Sequence, residues 1–181
     1  MNRNGLVENI IEQIKEAQLK LGFVEETIRL YFPIPSLCSL LQIEDRSGEE
    51  LLALLKAEEE FTHTLLGKID FSLCKGERIE VRVSSVGAVY VHEQVSNPPF
   101  LASIIDLFQK NHCLTIEEIC ACFARFSDYY ECKKMEPGTD FDYVLHFTDR
   151  KPDPWYYCVR IEMGHTTYHR FTEADYRALI S

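Results

Sequence analysis

Apolar positions first recur with helical spacing. Leu6, Val7, Ile10, Ile11, Ile14 and Leu21 form one stripe of residues 4–21, and Glu8, Glu12, Lys15, Glu16 and Lys20 form the other. An amphipathic helix is expected there, with Glu16 and Lys20 as a favourable i,i+4 pair. Residues 27–32 fit a short strand that stops at Pro33 and Pro35. Ser47-Gly48-Glu49-Glu50 is a capping box: the serine hydroxyl accepts from the Glu50 amide while the Glu50 carboxylate reaches back. The helix it starts carries a stripe of Leu51, Leu54, Ala57, Phe61 and Leu65, and Gly67 ends it.

The period then drops from about four to two. Ile79, Val81 and Val83 alternate with Arg78, Glu80 and Arg82, as in a half-buried strand. Lys75-Gly76 turns it back onto Phe71 and Leu73, and residues 89–93 supply a further strand, so 69–93 reads as a three-stranded meander. Ser96-Asn97-Pro98-Pro99 is a helix-start signature, followed by a stripe of Leu101, Ile104, Ile105 and Phe108. Thr115-Ile116-Glu117-Glu118 is a second capping box, with Leu114 and Ile119 as its hydrophobic staple, and its helix runs to about Phe126. Residues 129–135 and 141–147 alternate around Glu136-Pro137-Gly138-Thr139-Asp140, a hairpin. A second hairpin joins 155–162 to 166–171 through Gly164. A short helix capped by Thr172 closes the chain, with Phe171 and Tyr176 as a staple.

These elements define an α+β protein: N-terminal helices, a central antiparallel meander, a winged-helix-like helix-turn-helix plus hairpin, then a C-terminal hairpin and a short helix. Its 181 residues fit one domain, 1–181, with a subdomain boundary near residue 95 that separates 1–95 from 96–181. An apolar content of 46% suits an ordinary globular chain that folds without disulfides or metal. The net charge is −10, and each half carries −5, so no basic domain hides within an acidic whole. That balance disfavours a surface built for phosphate backbones or anionic lipid. The longest uncharged run, residues 30–43, is interrupted by two prolines and too short to span a bilayer. No signal-peptide pattern opens the chain, and the seven cysteines are an odd number, so reduced thiols in the cytoplasm are expected.

Arg29-Leu30-Tyr31-Phe32-Pro33, Tyr90-Val91-His92-Glu93 and Tyr168-His169-Arg170-Phe171-Thr172, with Asp175-Tyr176, extend over nearly the whole chain. In these phrases the sequence resembles an uncharacterised bacterial family catalogued as a domain of unknown function. The resemblance implies no substrate and no functional residues.

Candidate chemistry is sparse. Residues 100–147 follow the winged-helix order, but the outward face of the second helix offers Glu117, Glu118, Ala121, Cys122 and Arg125, the wrong sign at its start for phosphate. The hairpin adds Lys133 and Lys134, but also Glu136, Asp140 and Asp142. His112, Cys113, Cys120, Cys122 and Cys132 lack the C-x2-C spacing of zinc knuckles, and helical Cys120 and Cys122 point roughly 200° apart. Cys120 is placed on the buried stripe with Ile116 and Phe123. His165 and His169 on one strand would lie roughly 13 Å apart, beyond joint ligation. With Gly164-His165 as the turn, His165 sits at the loop tip and Arg160 faces His169. No metal site and no cofactor are assigned. Tyr90, His92 and Glu93, and Tyr168, His169 and Arg170, each end a strand and set general acid/base types beside an aromatic. Were the two strand ends adjacent, they would form a polar pocket for an anionic or sugar-like ligand; the alternative is a structural cluster with Arg170 paired to a carboxylate.

A non-enzymatic protein-interaction or accessory module, with a protein partner or self-association as a homodimer, ranks first. An enzyme or small-ligand binder using the six-residue pocket ranks second. A winged-helix regulator linked to nucleic acid ranks third, because charge counting finds no basic stripe.

Overall fold

In the computed structural model, residues 1–75 and 77–181 are described, and the protein is α+β. It forms two compact units, Met1–Ser96 and Asn97–Ser181.

The first unit is built on a three-stranded antiparallel sheet of β1 (Ile28–Pro33), β2 (Ile69–Cys74) and β3 (Arg78–Val83), in the order β1-β3-β2. Its register stacks Ile28, Val83 and Ile69 in one row, and Leu30, Val81 and Phe71 in the next, so one face is continuously apolar. The other face carries Arg29, Arg82 and Asp70, then Tyr31, Glu80 and Ser72. Period-two alternation is what divides them. Helices α1 (Arg3–Leu21), α2 (Ile34–Leu41), α3 (Gly48–Ala57) and α4 (Ser85–Gln94) complete the unit, and Leu6, Ile10, Ile14, Leu37, Leu41, Leu51, Leu55 and Val91 join the sheet's apolar face in its core.

Two elements differ from the sequence reading. Residues 89–93 are not a strand; they lie in α4, and the third strand of the sheet is β1. Val89-Tyr90-Val91 has strand propensity, yet Gly87, Ala88 and Val91 are buried at helical spacing, so packing overrides local preference. Gly87 is what lets α4 approach: a Cβ there would stand 2.5 Å from the Leu66 carbonyl oxygen and 2.5 Å from Val83 Cγ1. Helix α2 is additional, because Pro35 sits in its first turn, where proline is tolerated, rather than in a loop. The turn assigned to Lys75-Gly76 includes Gly76, which lies outside the described residues.

Helix α3 starts at the capping box as expected, the Ser47 hydroxyl accepting from the Glu50 amide and the Ser47 amide donating to the Glu50 carboxylate. It ends earlier than expected. Leu51 and Leu55 are buried, whereas Leu65 is 67% exposed, and a single 3-10 turn over Glu59–Thr62 brings in Phe61. On α1, Lys15 and Gln18 are buried rather than solvated. Lys15 Nζ donates to the carbonyls of Val91 (3.0 Å) and His92 (3.5 Å), and Gln18 Nε2 to that of Ala88 (2.8 Å). Two polar side chains of α1 thus meet backbone carbonyls of α4, Lys15 those of its last turn.

The second unit packs α5 (Pro99–Lys110) and α6 (Ile116–Ala124) with a four-stranded antiparallel sheet of β4 (Tyr130–Lys134), β5 (Tyr143–Phe147), β6 (Tyr156–Glu162) and β7 (His165–Phe171), in sequence order. The expected hairpin β4–β5 is half of this sheet, since β5 also pairs with β6. Phe100 is the hub of its core. Its ring meets Phe123 at 4.7 Å, Phe147 at 4.8 Å and Tyr157 at 5.4 Å, all edge-on, the geometry aromatic quadrupoles prefer. Cys122 belongs to this buried side, not to the outward face of α6, while Cys120 is half-buried. The β6–β7 turn is Met163-Gly164, both at positive φ, so Glu162 pairs with His165, Arg160 with Thr167 and Cys158 with His169. His165 is therefore a strand residue rather than a loop tip. Thr166, buried, ties β7 to the α5–α6 turn through its amide on the His112 carbonyl (2.7 Å) and its hydroxyl on the Leu114 carbonyl (2.6 Å). Helix α7 (Glu173–Leu179) follows its Thr172 cap. Tyr176 stacks on Tyr156, which stacks on His146. Among the described residues, no helix is long and apolar enough to cross a membrane.

Candidate functional site

The apolar stripe of α1 is wider than the core it covers. Leu6, Ile10 and Ile14 are fully buried, whereas Val7 and Ile11, one turn apart on the flank, are half-exposed. Opposite them the chain leaves α3, makes its 3-10 turn and doubles back. Thr64 and Gly67 exchange backbone hydrogen bonds of 3.3 and 2.9 Å, and the Thr64 hydroxyl donates to the Gly67 carbonyl at 2.7 Å. Gly67, at φ 75°, permits this tight reversal. The loop turns Leu66 inward and leaves Leu65 on the outside.

Between α1 and this loop lies a groove of about 760 Å³, with Val7, Ile11, Phe61 and Leu65 as its apolar lining. Three carboxylates, Glu8, Glu59 and Glu60, line it beside Arg3, His63, Asn4 and Thr64. Arg3 spans to Glu58 (2.7 Å) and Glu60 (3.1 Å), so its charge is already matched. Glu8 and Glu59, both exposed, make no ion pair among the described residues. An apolar trough edged by unpaired carboxylates suits a cationic, amphipathic occupant: apolar burial supplies affinity, and charge supplies orientation and selectivity. Nothing in the periodicity of the sequence reveals this groove, because Leu65 was counted as part of a buried stripe. The acidic run Glu58-Glu59-Glu60 is the one signal of it in the sequence.

The six residues singled out from the sequence fall into two units. Tyr90, His92 and Glu93 are on α4, not at a strand end. Tyr90 packs partly buried on the core, while His92 and Glu93 are exposed in the last turns. Tyr168, His169 and Arg170 are on β7, where alternation divides them. Tyr168 turns to the core side, 4.6 Å from the Phe108 ring and 5.6 Å from that of Tyr157. His169 meets Phe141 on the opposite side. Arg170 lies with Tyr168: its side chain is 3% exposed, its Nη1 is 3.7 Å from Asp153 Oδ2, and its guanidinium rests 4.5 Å above the Trp155 ring. Asp153 also accepts from the Trp155 amide (2.9 Å) and the Tyr157 hydroxyl (3.0 Å). Burial, and then the Asp153 charge, raise the Tyr157 phenol well above its ordinary range. This cluster holds the 149–155 loop against the sheet, and its buried charge is compensated by its own members. Among the described residues, no three His, Cys, Asp or Glu side chains are grouped to hold a metal ion.

The arrangement defines an α+β chain with an acidic-edged apolar groove in one unit and an internal polar lock in the other. The chain belongs to the family described as "Domain of unknown function, E. rectale Gene description (DUF3877)", which matches residues 3–180. No curated protein and no solved structure matches it.

Proposed function

We propose that this protein is a protein-interaction module whose α1 groove receives a basic, amphipathic helical segment of a partner protein. The observation that carries the reading is the pairing of half-exposed Val7 and Ile11 and exposed Leu65 with Glu8 and Glu59, two carboxylates that make no ion pair among the described residues. A helix laid in such a trough is held by apolar anchors at i and i+3 or i+4 and oriented by its charged flank. The net charge of −10 adds a long-range attraction for a basic segment, which speeds encounter and weakens with salt.

The test is fluorescence anisotropy with a labelled Lys/Leu amphipathic helical peptide and a Glu/Leu peptide of the same length. Binding of the basic peptide alone is expected, weakened ~10-fold or more by Leu65→Asp or by Glu8→Lys with Glu59→Lys. A double change of the same charge outside the groove, Glu25→Lys with Glu26→Lys, should affect affinity only modestly. Equal loss from both double variants would mean that overall charge, not the groove, attracts the peptide, and would refute the reading.

A further inference from the structure

The mechanism proposed for the groove uses none of the seven cysteines, and two of them meet. Cys120 is half-buried on α6 and Cys132 is exposed on β4. The thiol of Cys132 lies beside that of Cys120. Their neighbours give the reason. Phe123 follows Cys120 by one helical turn, Tyr130 precedes Cys132 by two strand positions, and the rings of Phe123 and Tyr130 pack at 5.9 Å. Helix α6 therefore lies along β4 with two side-chain pairs in step, one aromatic and one thiol. The other cysteines are placed differently: Cys38, Cys122 and Cys158 are buried, Cys74 belongs to the first unit, and Cys113 is exposed on the loop before α6.

We propose that Cys120 and Cys132 are a site of reversible disulfide formation, with a low-molecular-weight disulfide as oxidant, that fastens α6 to β4. The thiolate of one cysteine attacks a sulfur of R–S–S–R, the S–S bond breaks, and one R–S⁻ leaves and takes up the released proton as R–SH. The second thiolate attacks the protein sulfur of the mixed disulfide, forms the Cys120–Cys132 bond and releases the second R–SH. The protein loses two hydrogens and the reagent gains them as two thiols; an excess of R–SH reverses both steps. Partial burial first, and the Cys120 side chain second, push the Cys132 thiol up to about 12. The reaction is accordingly slow at neutral pH and accelerates in alkali, because the thiolate is the nucleophile. Helix α6 also walls a groove of about 340 Å³ shared with α5, so the bond would brace one side of that groove.

The experiment treats the fully reduced full-length protein with oxidised glutathione and follows intact mass. A product about 2 Da lighter than the reduced chain is expected, and proteolysis without reductant should yield one linked peptide pair containing Cys120 and Cys132. Cys120→Ser and Cys132→Ser should each stop at a glutathione adduct or stay reduced. At equilibrium in glutathione buffers the native chain should hold the bond against at least ~10-fold more reducing conditions than the same chain in urea at matched pH, since folding supplies the proximity. A bond mapped to Cys113 or another cysteine, adducts that never resolve to the lighter product, or a bond no harder to reduce in the native chain than in urea would overturn the proposal.

Discussion

Replacing Lys15 by methionine removes an ammonium from the interior of the first unit while keeping most of its apolar stem. In the native protein that ammonium donates to the Val91 and His92 carbonyls of the last turn of α4, at 3.0 and 3.5 Å. A charge-assisted hydrogen bond contributes ~1.5–3 kcal/mol, and a cation in a partly buried position at a helix C-terminus up to ~2 kcal/mol; the two overlap here and do not add. Opposing them is the cost of burying the charge, which lowers the Lys15 pKa from its ordinary value. The balance predicts a loss of ~1–3 kcal/mol for Lys15→Met. Lys15→Ala also removes about three buried methylenes at ~0.8 kcal/mol each, for a loss of ~3–5 kcal/mol in total. Urea unfolding followed by far-UV circular dichroism reads both variants; fluorescence of Trp155, the single tryptophan, reports the second unit. The pH dependence gives an independent check. With the folded pKa below the unfolded one, stability is flat below the folded value and rises as pH climbs toward 10.5, because the unfolded chain holds more protons in that window. Lys15→Met should lose this alkaline rise. A methionine variant as stable as the parent, with the same alkaline slope, would refute the account of Lys15 as the tie between α1 and α4.

Gly87→Ala should destabilise the first unit by ~2 kcal/mol or more, although alanine is the better helix former by ~1 kcal/mol, because its Cβ would meet the Leu66 carbonyl and Val83 at 2.5 Å; a denaturation midpoint at or above that of the parent would count against it. Burial lowers the pKa of His146, stacked 4.4 Å from Tyr156, below 6.5. As pH falls from above 6.5 through the folded value, the unfolded chain binds the proton first and stability of the second unit should drop, measurable by Trp155 fluorescence and diminished in His146→Phe.

Where local chemistry decides, the sequence alone was legible. The capping boxes at Ser47 and Thr115 start helices where expected, since a side chain three residues away satisfies the orphan amides without outside help. The β6–β7 hairpin follows from Gly164, although its register shifts because Met163 accepts positive φ as the other central residue. The α+β class, the strand alternation and most of the buried stripes are likewise local in origin.

Tertiary structure decided what depends on distant partners. Residues 89–93 become helix because β1 already pairs with β3 and Gly87 lets α4 approach Leu66. Lys15 and Gln18, polar by composition, are buried because α4 offers carbonyls to receive them. Tyr168 and Arg170 turn toward the core, and His169 away from it, once β7 is seated beside β6. The groove exists because the return of the chain after α3 sets Leu65 and Glu59 across from Val7, Ile11 and Glu8 of α1. Hydrophobic periodicity registers which residues seek burial; it carries no information on which of them find a partner, and that depends on contacts between residues far apart in the chain.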